Sequence, residues 1–83
     1  MATRSRKYEL FLFNDDVNTM EHIVESLHNN IPLCNRLRAE QMATTAEAVG
    51  MCRIYSGLEV DVFFMYSTLR KCGLYVDALV KPR

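Results

Sequence analysis

A chain of 83 residues with ten basic and ten acidic side chains and no net formal charge is one domain, of a size that buries roughly 60 to 65% of its unfolded surface. Catalytic machinery has little room in it, the charge balance argues against a nucleic-acid footprint or a membrane surface, and a module that binds protein is the default reading. Cys34, Cys52 and Cys72 are odd in number, widely spaced and free of any Cys-x-x-Cys pair, so neither a disulfide framework nor a zinc site is indicated and a reducing compartment fits best.

Arg4, Arg6 and Lys7 read as a solvated end, so residues 1–7 are expected to form a short flexible tail and residues 8–83 the domain. Tyr8, Leu10 and Leu12 alternate with Glu9, Phe11 and Phe13, a period of two that marks a strand, central or covered on both faces. Asn14-Asp15-Asp16-Val17-Asn18-Thr19 follows. Asn-Asp clusters usually make turns and helix caps, and Asn18 or Thr19 can cap a helix with Glu21 in its first turn. That assignment leaves Asn14, Asp15 and Asp16 without a structural task, at a junction where something cationic could be held.

The first helix is expected from about residue 18 to 29, with Met20, Ile23, Val24, Leu27 and Ile31 on its apolar stripe and Pro32 beyond its end. His22 and His28 do not share the i, i+3 or i, i+4 spacing of paired ligands, and no metal or cofactor is implied. A second helix is expected from Arg36 to Val49, lined on one side by Leu37, Met42, Ala43, Ala46 and Val49, with Gly50 as its left-handed terminator. Small side chains in its middle let a neighbour approach closely or leave a hollow.

Met51 to Tyr55 reads as a strand and Ser56-Gly57 as a tight turn. The third helix then starts either at Gly57, with Ser56 and Glu59 as a capping box, or after Asp61 as cap. Val62, Met65, Leu69 and Cys72 form its stripe, and Gly73 ends it. Leu74 to Val80 is a last strand. The apolar run Val62 to Tyr66 is far too short to span a bilayer. Three strands and three segregated helices favour an α+β fold, the helices packed on an antiparallel sheet.

An apolar strand, then Asn14-Asp15-Asp16, then a helix opening Met20-Glu21-His22-Ile23-Val24-Glu25, resembles ClpS, the adaptor that delivers N-degron substrates to a Clp AAA+ unfoldase. The resemblance covers nearly the whole chain and recurs from Gly57 to Leu74. It implies a non-enzymatic adaptor with a pocket for the first residue of a substrate protein, taking a large apolar side chain together with a free α-amine. Residue by residue it assigns Asn14, Asp15 and Asp16 to the amine, Asn18 to the peptide backbone, and Met20, Ile23, Ala46, Val49 and Leu74 to the apolar pocket. Gly50 stands where the family has a histidine that also accepts from the amine, and Ala46 where it has a methionine. The implied partners are the N-terminal domain of a Clp-type AAA+ unfoldase and the N-terminal segments of its substrates. A monomer is expected, in the cytoplasm or in an organelle stroma or matrix, with neither nucleic acid nor membrane as a partner. Two other readings compete: a relative that keeps the fold and docks on the unfoldase without amine recognition, and a small enzyme using Asp15 and Asp16 as acid and base. Adjacent carboxylates seldom face opposite sides of a substrate, which ranks the enzyme last.

Overall fold

The computed structural model describes residues 6–81. The expected tail therefore lies mostly outside the described residues, and Lys7 already opens the first strand. The elements run β1 (Lys7–Phe13), α1 (Met20–Asn30), α2 (Arg36–Val49), β2 (Met51–Leu58), α3 (Glu59–Lys71) and β3 (Val76–Val80). β1 lies in the middle of a fully antiparallel sheet of order β2-β1-β3. Its alternation decides the layers: Leu10 and Leu12 are buried under the helices, while Glu9, Phe11 and Phe13 point to the other face, where Glu9 accepts a 2.8 Å ion pair from Arg53. The fold is the expected α+β arrangement.

One core joins all six elements, with Leu10, Leu12, Leu27, Val62, Leu69 and Leu74 among its fully buried side chains. A bulge in β2 helps to fill it. Leu10 faces Tyr55 but Phe11 faces Arg53, so Ile54 is the extra residue, and both Ile54 and Tyr55 reach the core.

Several boundaries differ from those the sequence suggests. β2 runs straight through Ser56-Gly57, which pair with Glu9 and Tyr8, so there is no turn at this position. Gly57 serves packing: a Cβ there would stand 2.9 Å from the Tyr55 ring. α3 then begins at Glu59, with Leu58 as cap and no side-chain capping bond. Neither Ser56 nor Asp61 caps it, and Glu59 and Asp61 instead supply negative charge to its first turn. α1 begins two residues later than the earliest start, capped by Thr19, whose hydroxyl accepts from the His22 amide at 3.1 Å.

β3 starts at Val76 rather than Leu74 because α3 closes with a Schellman motif. Gly73 at φ 89° donates to the Arg70 carbonyl and Leu74 donates to Leu69. Leu74 is thereby turned into the core before the strand begins. α2 buries the middle of the expected face but not its two ends. Ala39, Met42, Ala43 and Ala46 are buried, while Leu37 and Val49 are exposed. The alanines give the close approach of neighbouring elements that small side chains permit.

Candidate functional site

The loop between β1 and α1 is shaped by its own side chains. The Asn14 carboxamide oxygen accepts from the Asp15 amide at 2.9 Å. Asp15 Oδ1 accepts from the amides of Val17 at 2.8 Å and Asn18 at 2.9 Å, and Asp15 Oδ2 accepts from Asn18 Nδ2 at 2.6 Å. Asp15 is thus the residue around which the loop folds, as in an Asx turn with one further bond. Partial burial pushes its carboxyl up, but the Asn18 side chain, the Asn18 and Val17 amides and the charge of His22 together hold it below the ordinary value.

Two long-range bonds fasten this loop to the rest of the molecule. Asn18 Nδ2 donates its second hydrogen to the Gly73 carbonyl at 2.8 Å, and the Asn14 amide donates to the Gly50 carbonyl at 2.9 Å. His22 Nε2 stands 2.8 Å from the Cys72 carbonyl and ties the start of α1 to the same exit of α3. The start of α1, the end of α2 and the end of α3 therefore meet at the end of β1. Neither the Gly50 nor the Gly73 contact is visible at short range in the sequence, where both glycines read only as helix terminators. They are what the residue pattern alone misses at this site.

The residues singled out above gather at that meeting point with unequal freedom. Asp16 is exposed, and among the described residues its carboxylate has no hydrogen-bond or ion-pair partner. Asn14 is exposed as well. Asp15 and both amide hydrogens of Asn18 are engaged within the fold, so Asn18 has only its oxygen to offer a ligand. Ile23, Ala46 and Leu74 belong to the core, whereas Met20 is 38% and Val49 74% exposed. Three of these apolar side chains are thus closed off inside the core and two are open to solvent. Gly50, at φ 107°, has nothing within 4 Å of the place its Cβ would occupy. No side chain stands there to replace an acceptor.

Among the described residues no cluster of three or more His, Cys, Asp or Glu is placed to hold a metal ion. No helix among them is long and apolar enough to cross a membrane.

Comparison with known proteins adds three findings. The family described as "ATP-dependent Clp protease adaptor protein ClpS" matches residues 3–69. The structure of Agrobacterium tumefaciens ClpS2 bound to L-phenylalaninamide superposes with a TM-score of 0.82 at 15% identity, covering 94% of this chain and 100% of that one. At that identity the likeness is one of fold. No curated protein sequence matches.

Proposed function

The chain belongs to the ClpS family of Clp protease adaptors, and from that premise we propose that it binds the N-terminal residue of a substrate protein and delivers it to the N-terminal domain of a Clp-type AAA+ unfoldase. The observation that carries this reading is the division of labour in the loop. Asp15 and Asn18 are engaged in fixing it, which leaves Asn14 and Asp16 exposed on a preorganised frame. A free α-amine has a pKa of roughly 7.7 to 8.0 and is largely cationic at neutral pH. Asp16 supplies the charge and Asn14 a carboxamide oxygen with a second lone pair, which is what an ammonium group needs. The apolar side chain of the same residue then lies over Ile23, Ala46 and Leu74, with Met20 and Val49 flanking it.

Gly50 in the histidine position removes one acceptor, and Ala46 in the methionine position widens the apolar site. Both favour a second reading, in which the protein docks on the unfoldase and regulates it without holding an amine. Fluorescence anisotropy with labelled peptides beginning with Phe, Leu or Val, each free or N-acetylated, separates the two. On the adaptor reading free peptides bind, acetylated ones do not, and Asp16→Ala weakens binding about tenfold to a hundredfold, the worth of one hydrogen bond to a charged group. Binding to the unfoldase domain that persists in Asp16→Ala, with no peptide binding by either protein, would establish the regulator instead.

A further inference from the structure

A hollow of about 390 Å³ lies beside β2, an edge strand of the sheet, between the end of α1 and the start of α2. It is thus at the opposite end of both helices from the loop after β1. Ile31, Cys34, Met42 and Ile54, all buried, give it an apolar lining. Arg38 and Arg53 stand in its wall, and among the described residues no acidic side chain does. Arg53 is held by Glu9 at 2.8 Å, whereas Arg38 is in no ion pair among the described residues. The charge of Arg38 reaches the Cys34 thiol, where it partly offsets the rise that burial gives that group. Leu33 completes the wall at φ 57°, with its side chain fully exposed.

The backbone of β2 adds an independent feature. The Phe13 amide bonds to Tyr75 and the Lys7 carbonyl accepts from Lys81, so β1 bonds to β3 through its odd-numbered residues and to β2 through Tyr8, Leu10 and Leu12. Ser56 stands opposite Glu9, which turns its own N–H and C=O away from β1 and toward the free edge, where Ser56 borders the hollow. A strand edge takes an extended backbone, an apolar hollow takes a side chain, and an unpaired guanidinium takes a carboxylate. In an extended chain neighbouring side chains point to opposite faces. An acidic residue next to the one that fills the hollow would therefore point away from Arg38. A carboxylate carried by the same residue as the apolar side chain belongs to a chain terminus. We infer that this hollow binds the C-terminal residue of a polypeptide ending in a large apolar side chain. The carboxylate pairs with Arg38, the side chain lies on Ile31, Met42 and Ile54 under Leu33, and the residues before it extend along β2 and bond to Ser56.

Fluorescence anisotropy with a hexapeptide ending in Leu tests this, the dye being attached at the N-terminus so that no free α-amine is present and the loop after β1 is not engaged. The free-acid peptide should bind with a Kd on the order of 100 µM, and its C-terminal amide about tenfold more weakly or worse, the loss of a hydrogen bond to a charged group. Arg38→Gln, a change at an exposed position, should weaken binding of the free acid by the same factor and keep the native melting curve. Leu33→Gly, which suits the left-handed backbone, should keep the fold and weaken binding about fivefold. Hydrogen exchange followed by NMR should show the Ser56 amide slowed when the free-acid peptide is bound. No binding of that peptide at about 1 mM overturns the inference. So does equal binding of acid and amide, or binding that Arg38→Gln leaves unchanged. N-acetyl-leucine that binds as tightly as the hexapeptide, with exchange at Ser56 unaltered, identifies a site for small apolar acids and likewise overturns the polypeptide terminus.

Discussion

Asp15 and Asp16 are neighbours in sequence with opposite roles in the structure, and the difference lies in their hydrogen bonds. Asp15 accepts three within its own loop; Asp16 accepts none among the described residues. Replacing Asp15 by Asn removes the charge that strengthens those bonds, and its loss should cost on the order of 1–3 kcal/mol at neutral pH, read as a lower Tm. Because the folded carboxyl titrates below its unfolded value of 3.8, the contribution of its charge is fully present above that pH and disappears as pH falls through the depressed folded value. The gap in Tm between wild type and Asp15→Asn should accordingly narrow on acidification below about pH 4. A gap that stays constant to pH 2 would contradict the assignment. The sequence identifies both aspartates as special, but an Asn-Asp-Asp string carries no mark of which carboxylate turns inward.

The elements legible in sequence are those with a clean period and a capped end. β1 alternates, and Ile23, Val24, Leu27 and Ile31 are buried as α1's spacing predicts. Ser56-Gly57 misleads because turn chemistry and tertiary packing use the same residues: with the Tyr55 ring against it, this glycine supplies room within a strand. The capping-box spacing of Ser56 and Glu59 is likewise overridden by pairing with β1. Gly50 is the opposite case, where the local signal is correct. Its φ of 107° and its bond to the Ala46 carbonyl end α2 and place its own carbonyl under the Asn14 amide. Gly50→Ala should lower stability by about 1 kcal/mol through backbone strain alone, since its Cβ would meet nothing. Equilibrium urea unfolding would detect this as a lower midpoint with an unchanged slope.

For the whole molecule the decisive fact is a single small core shared by every element. Leu69 is fully buried in it, whereas Phe64, five residues earlier on the same helix, is largely exposed. Leu69→Ala should cost about 2–5 kcal/mol, a large share of the stability of a domain this size. Phe64→Ala should change the stability of the monomer by less than about 0.5 kcal/mol. Thermal melts of the two variants at low micromolar concentration make the comparison directly. Equal losses would mean that Phe64 packs within the chain as tightly as Leu69 does. The same core sets the geometry of the loop after β1, because the exits of α2 and α3 reach it only when their buried stripes are seated.

Periodicity and punctuation in the sequence sufficed for the count and type of the elements, the α+β class and the family, since each rests on contacts between near neighbours or on a short contiguous motif. Tertiary structure alone decided that β2 continues past Gly57, that Leu37 and Val49 of α2 face outward, and that Asp15 and Asn18 hold the loop while Asp16 stays free. The course of β2 and the fastening of the loop depend on residues far apart in the chain meeting in space, Tyr8 with Gly57, Asn14 with Gly50 and Asn18 with Gly73. No local pattern encodes such meetings, because they are fixed by how the elements pack on one another.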